Sequence, residues 1–567
     1  MSATTATGRP AGHHAAASPA RSGGAGGTLG ALLRQRLRRD RWQLVIWLVS
    51  IAVLALFSAA AIKQTYGDEA SRAELLRLAI ANPTVLLLRG LPDGTGLAAV
   101  TFFEIFTFLA LLAGLMSTFL AVRHSRAEEE SGRAELVGST PAGRLLPTVA
   151  TVVHGVLANV ALALVTALGF IAAGLPAGGS LAAGAAVGGV GIAFVAVGLL
   201  LAQIMSTSRG ANGFAAALVV VAYVLRGIGD ATGRTTGDGT HMVTGWISWL
   251  SPIGWGEQFS PYSGADWWPL LLQLGFAAVL IAVTFWIQTV RDSGAGVIPE
   301  RAGRRDALPT LRGPLGLAWR LQWPTILGWT IGGAATGALA GALGSVVSSS
   351  IANDPNLSDI RSAIGRIGAG GSGPLTQLFI AAIFSIVGVL AAACAVQAVI
   401  RLRQEEAAGT AEVMLTTPVS RVRWLFGFVV VGIVAVLLVL VAAALASGLS
   451  AVAAGEDAAR IGDSFVAASA QLPVALVYLG VLTLVFVLLP SWTVAVGWAT
   501  LGLGAFIGIF GGLIDLPDPI RHLSPFADVP VVVGHVDWTG GYWMLGIAVV
   551  ALAAAAALIR RRDVAIG

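Results

Sequence analysis

Gln43 to Ile62 reads QLVIWLVSIAVLALFSAAAI, twenty residues without a charge. An α-helix rising ~1.5 Å per residue needs about that length to cross the ~30 Å hydrocarbon layer of a bilayer. Runs of the same kind recur along the chain, with starts near residues 43, 97, 146, 181, 213, 269, 324, 373, 425, 467, 494 and 541. Hydrophobic types make up 56% of the 567 residues, and the mean hydropathy is +0.80. A soluble core of this length cannot hide so much apolar side chain. The sequence therefore predicts an all-α polytopic membrane protein with about twelve spanning helices.

Outward from that first run, residues 1–30 hold Ala, Gly, Ser and Thr with no apolar h-region, and read as a disordered tail in which His13 and His14 are incidental. Residues 31–42 interleave Arg34, Arg36, Arg38, Arg39 and Arg41 with Leu32, Leu33 and Leu37. That pattern fits an amphipathic helix in the membrane interface, and equally a stop-transfer cluster. Two transmembrane halves follow, 43–290 and 323–567, joined by a basic linker over 291–322. With the N-terminus inside, 25 of the 35 Lys and Arg fall on inward segments. The positive-inside bias thus places both termini in the cytoplasm and favours an even number of spans. It also explains the pI near 9.9 without nucleic acid, since the basic excess orients the chain and meets anionic lipid. The lone Cys394 excludes an internal disulfide.

Shifting the sequence by 277 residues sets RAEEESGRAELVGSTPAGR (Arg126–Arg144) over RQEEAAGTAEVMLTTPVSR (Arg403–Arg421) without a gap, and nine of nineteen positions are identical. Five of the nine are charged, in a chain where charged residues are 11% of the total. Leu250-Ser251-Pro252, followed by Asp266-Trp267, recurs as Leu523-Ser524-Pro525, followed by Asp537-Trp538. The chain thus reads as two parallel six-helix repeats about an axis along the membrane normal, with a natural pathway between them. Gly333, Gly337 and Gly341, Gly184 and Gly188, and Gly504, Gly508 and Gly512 are spaced for close helix packing.

Both charged copies lie between the second and third spans of their half. Gly132 and Gly409 break each copy into an acidic part and a short helix, over Arg133–Val137 and Thr410–Met414. Thr140 or Thr417 is placed to cap the following span, with Pro141 or Pro418 in its first turn. A salt-bridged turn would account for one such loop. Two copies that keep the same Glu, Gly and Pro point instead to a docking surface used twice: Glu128, Glu129, Gly132, Glu135, Thr140, Pro141 and Arg144, and Glu405, Glu406, Gly409, Glu412, Thr417, Pro418 and Arg421.

At these residues the chain resembles ABC-2 type permeases, the membrane subunits of a class of ABC exporters. The match is closest in EEAAGTAEVMLTTPVSR. The first copy departs from it with Arg133 for Thr and with Gly138-Ser139, so the two sites need not grip a partner equally. The double-length form is similar to actinobacterial exporters of polyketide antibiotics, the tetronasin-type transporters among them, and to multidrug exporters. The resemblance implies a bacterial cytoplasmic membrane, a hydrophobic or amphipathic cargo, and two copies of a separate P-loop ATPase subunit that carry the ATP and Mg. The sequence agrees on one point: a P-loop needs Gly-x-x-x-x-Gly-Lys-Ser/Thr, and the sole Lys, Lys63, stands in Ala-Ile-Lys-Gln. The chain is accordingly expected to be a transport subunit, not itself an enzyme, with no cofactor of its own.

Within the spans, Glu104 is costly unless paired or hydrated. It is a candidate cargo contact together with Phe102, Phe103 and Phe106, or a carboxyl satisfied by a neighbouring helix. His154 reads as a lone interhelical histidine, and Arg226 and Asp230 as an i,i+4 pair. Thr240–Trp268 is Trp-rich and broken by Pro and Gly, which suits short interfacial or re-entrant helices capping the pathway. No set of His, Cys or carboxylates shows metal-site spacing, so no metal is expected. A proton- or ion-coupled secondary transporter is the alternative, and it would spread buried acids through the spans. A membrane enzyme on lipid-linked substrates would cluster Asp, Glu or His at an interface.

Overall fold

The computed structural model describes residues 25–138, 143–237, 239–291, 294–298, 306, 313–351, 375–511, 516–533 and 536–562. Among these, twelve helices are long and apolar enough to cross a membrane. They are α1 (Ala25–Thr65), α2 (Leu97–Arg123), α3 (Leu146–Ala172), α4 (Ala177–Ile204), α5 (Ser208–Ala231) and α6 (Trp268–Val290), then α7 (Pro314–Ile351), α8 (Leu375–Ala407), α9 (Arg421–Ala453), α10 (Ala459–Leu488), α11 (Thr493–Phe510) and α12 (Thr539–Leu558). The protein is an all-α polytopic membrane protein.

The chain divides into two compact units, Met1–Ala302 and Gly303–Gly567. In the first, α1 packs on α2 and α3, α2 on α4 and α5, and α4 on α3 and α6. The second repeats every one of these pairings six helices later: α7 with α8 and α9, α8 with α10 and α11, α10 with α9 and α12. The second and fourth helices are the most buried of each unit. The peripheral helices turn side chains such as Ile46, Phe57, Leu271 and Trp543 outward, where lipid replaces water as the solvent.

Small residues let the helices close on one another. A Cβ on Gly333 would stand 3.0 Å from the Val439 carbonyl oxygen, and on Gly337 or Gly341 it would collide with the Ala443 or Ser447 carbonyl. The stripe on α7 is therefore laid along α9 at one contact per turn. Gly184 and Gly188 do the same for α4 against Ala163 and Asn159 of α3. Gly504 and Gly508 receive Tyr478 and Phe526, and Gly512 lies outside the described residues.

Three boundaries differ from the sequence reading. Residues 31–42 form no separate element: α1 is one helix from Ala25, and the Arg and Leu over 31–42 are good helix formers with no Gly or Pro among them to stop it. Its start also lies inside the expected tail 1–30. The second half begins at Pro314 instead of 323, with Pro324 carried inside α7. Finally, Thr417 does not cap α9. Its hydroxyl donates to the Met414 carbonyl at 2.5 Å, closing the short helix before it. Ser420 takes the cap instead, accepting from Arg423 N at 3.2 Å, so Pro418 precedes the helix. Thr140 and Pro141 lie outside the described residues, and α3 starts at Leu146 with Pro147 in its first turn.

Candidate functional site: the charged loops and their anchors

Gly132 and Gly409 have φ of +72° and +74°, the left-handed conformation that suits glycine. Each turns the chain out of its acidic segment into a short helix, Arg133–Gly138 or Thr410–Leu415. The acidic segment differs between copies. It is a separate turn of helix, Arg126–Glu130, in the first unit, and the end of α8 in the second.

Most of the motif's charges turn inward. In the first unit Arg126 is buried and donates to the carbonyl of Ala202 (2.9 Å), to Glu129 Oε2 (2.8 Å), and to the carbonyls of Gly294 (3.1 Å) and Ala295 (3.0 Å). Arg291, just past the end of α6, donates to both oxygens of Glu129 at 2.7 and 3.0 Å, and Arg144 donates to the Arg291 carbonyl. The second unit repeats this clamp. Glu406 pairs with Arg403 at 3.6 Å and with Arg562 past the end of α12, while Arg421 donates to the Arg562 carbonyl at 2.5 Å. Arg562 also donates to the Phe486 carbonyl of α10 at 3.1 Å. Each loop is thereby tied to the ends of the fourth and sixth helices of its own unit.

The remaining acids divide in the same way. Glu128 lies 3.2 Å from Arg39, 3.7 Å from Arg36 and 3.4 Å from His124 Nδ1. Glu405 pairs with Arg401 and accepts from Thr410 Oγ1 at 2.6 Å. Glu130, which the second copy replaces with Ala407, accepts from Ser208 N at 2.7 Å and so sits on the first turn of α5. Glu135 and Glu412 stand exposed in the first turn of the short helices, and Val413 beside Glu412 is 70% exposed. Of the acids shared by the two copies, these two are the exposed ones. A cavity of about 450 Å³ under the first loop is lined by Glu128, Glu129, Glu135, Arg144 and Arg291 among others.

On the side of the unit that carries the charged loop, α1, α2 and α3 meet at Asp40, His124 and His154, all buried. Both His Nε2 atoms face Asp40 Oδ2, that of His154 at 3.2 Å, and Arg123 Nε lies 3.1 Å from Asp40 Oδ1. Folding thus joins a group of possible metal ligands that no sequence spacing announces, because the three lie 30 or more residues apart on different helices. His154 is not the lone histidine expected.

At the opposite end of the unit, Glu104 is paired with Arg89 of the short helix Pro83–Arg89. Phe102, Phe103 and Phe106 are buried, the first and third stacked with centroids 4.6 Å apart. The three rings belong to the packed core of the unit, and Glu104 stands at its edge beside Arg89. Arg226 and Asp230 pair at 3.2 Å as expected, and Glu257, missed in the sequence, joins them 3.4 Å from Arg226. Burial pushes the Glu257 carboxyl well above the usual carboxylate range, and the Asp230 charge pushes the same way against Arg226. The segment after α5 holds a short hairpin, a 3₁₀ turn Trp246–Leu250 and a helix Pro252–Glu257. In each Leu-Ser-Pro the serine hydroxyl donates to a carbonyl of its unit's fifth helix, Ser251 to Ala222 at 2.7 Å and Ser524 to Gly504 at 2.6 Å, while accepting from the turn that follows.

Two six-helix units with one packing plan and one charged anchor define a duplicated membrane permease. Residues 29–287 and 311–560 match the family model described as "Multidrug efflux system permease Rv1217c, C-terminal domain". The chain is also 37% identical over 563 residues, 98% of each chain, to the multidrug efflux system permease protein Rv1217c of Mycobacterium tuberculosis (strain ATCC 25618 / H37Rv). The chain belongs to this family of multidrug efflux permeases.

Proposed function

We propose that this chain is the membrane subunit of an ATP-driven ABC exporter of the ABC-2 type, which moves hydrophobic or amphipathic compounds, antibiotics among them, out of a bacterial cell. Two copies of a separate P-loop ATPase bind it from the cytoplasm, where both termini lie. The observation that carries the reading is the doubled device at the charged loops: a short exposed helix after a left-handed glycine, clamped through Glu129–Arg291 or Glu406–Arg562 to the spanning helices. Such a clamp passes a push on the short helix to the fourth and sixth helices of its unit. A rigid charge-assisted link suits that task better than a solvated turn does.

The division of the acids sharpens the docking surface to Glu135 and Glu412 with their short helices. Glu128, Glu129, Glu405 and Glu406 hold the loops in place. Tested by co-purification with its P-loop ATPase from membranes, Glu412→Lys is expected to lower ATPase recovery with an unchanged unfolding midpoint, as exposed substitutions shift stability by only about 0.5 kcal/mol. Glu406→Ala is expected to lower the midpoint first, since breaking a buried pair costs about 3 kcal/mol. Drug transport in proteoliposomes that contain this chain alone, driven by a proton gradient without ATP, would overturn the reading in favour of a secondary transporter.

A further inference from the structure

We propose that Asp40, His124 and His154 bind one divalent transition-metal ion of the zinc class, joining α1, α2 and α3 at the charged end of the first unit. One donor atom from each of Asp40, His124 and His154 lies within 4.8 Å of the other two, and the side chains are 0–2% exposed. Bonds of ~2.0–2.1 Å to a tetrahedral ion put neighbouring donors about 3.3 Å apart; His154 Nε2 stands 3.2 Å from Asp40 Oδ2, and His124 Nε2 hydrogen-bonds the same oxygen, a contact that an entering ion would open. Two imidazoles and a carboxylate form a donor set that zinc shares with its neighbours in the first transition row.

Four observations beyond the cluster support a ligand. First, His124 faces a carboxylate on each side, Asp40 at Nε2 and Glu128 at Nδ1, 3.4 Å away. A neutral ring has one N–H to offer; a cation at Nε2 leaves Nδ1–H to donate to Glu128, the carboxylate–histidine–metal arrangement of bound sites. Second, among the described residues His154 Nδ1 is buried without a hydrogen-bond partner, which leaves the ring held through Nε2 at Asp40 Oδ2. Third, His124 and Glu128 belong to the wall of the cavity under the loop, which gives a hydrated ion an acid-lined way in. Fourth, the 277-residue shift puts Leu317, Arg401 and Val431 at the equivalent positions in a unit with the same helix pairing. The scaffold therefore does not require a polar cluster there. Arg123 holds the Asp40 oxygen that the ion does not use, and Arg36 is occupied by Thr151 and the His124 carbonyl.

The test is Co²⁺ and Zn²⁺ binding to the full chain, purified in detergent without chelator or polyhistidine tag and carrying His13→Ala and His14→Ala to remove the tail's imidazoles. Expected are ligand-field absorption bands of tetrahedral Co²⁺ at about one equivalent per chain, displaced by Zn²⁺. Asp40→Asn and His154→Gln should abolish them, and the milder Glu128→Gln should weaken affinity about 10- to 100-fold. A folded, monodisperse chain with no Co²⁺ bands and no Zn²⁺ retained by elemental analysis overturns the proposal, as does unaltered affinity in Asp40→Asn. The cluster is then a hydrogen-bonded brace. The spectrum of the otherwise unaltered chain decides the matter even if the cluster variants fail to fold.

Discussion

Glu406 is 2% exposed while Glu412, six residues on, stands in solvent, although one motif contains both. What separates them is the reach of Arg562, and an arginine some 150 residues away in sequence is invisible to a local pattern. The same holds for Glu257, whose partners Arg226 and Asp230 lie on another helix. An acid with a raised folded-state pKa keeps its proton over a pH range in which the unfolded chain has already lost its own. Its contribution to stability is therefore whole below the ordinary glutamate range and is lost as pH rises towards the folded value. Glu257→Gln should accordingly raise the unfolding midpoint relative to the parent chain, by more at about pH 8 than at about pH 5. A deficit that deepens with pH would show instead that Glu257 is ionised and serves Arg226 as a counter-ion.

Among the elements, α7 gives the sharpest contrast. Gly337 rides against the Ala443 carbonyl, whereas a Cβ on Gly332 would meet nothing within 4 Å. Gly337→Val should therefore force α7 off α9 at a cost on the order of 3 kcal/mol. Gly332→Ala should be neutral or stabilise by up to about 1 kcal/mol, because a helical glycine gives up backbone entropy. Midpoints of the two variants in one detergent check both. The glycine spacing, the apolar runs and the left-handed breaks at Gly132 and Gly409 were legible because each depends on neighbours within a turn or two. The cap of α9 was not. Thr417-Pro418 has the composition of a helix start, and only the Met414 carbonyl, by taking the threonine hydroxyl, moves the start to Ser420. Nor did any pattern announce the short helices Glu69–Ala81 and Pro83–Arg89, whose partners Val100, Phe103 and Met242 come from other segments.

At the scale of the whole chain, duplication made the architecture readable: one shift of 277 residues aligned the loops, and the six helix pairings follow it. The departures from that symmetry are what the alignment could not interpret. Glu128 is held by α1 and His124, whereas Glu405 is held by Arg401 on its own helix, and Glu130 reaches Ser208 where Ala407 has nothing to offer. The first loop thus has more anchors than the second. Glu135→Lys and Glu412→Lys, compared singly for ATPase recovery and drug efflux, should act unequally, and equal losses would count against distinct roles. The clamp has a further use. Its loop-borne members, an arginine, a glutamate and a second arginine, occupy matching places in Arg126–Arg144 and Arg403–Arg421, while the remaining arginine waits just past the host's own sixth helix. The nineteen residues can therefore be exchanged as a cassette without removing a clamp residue, and chimaeras with one loop in both halves are a way to build a permease whose two loops are the same.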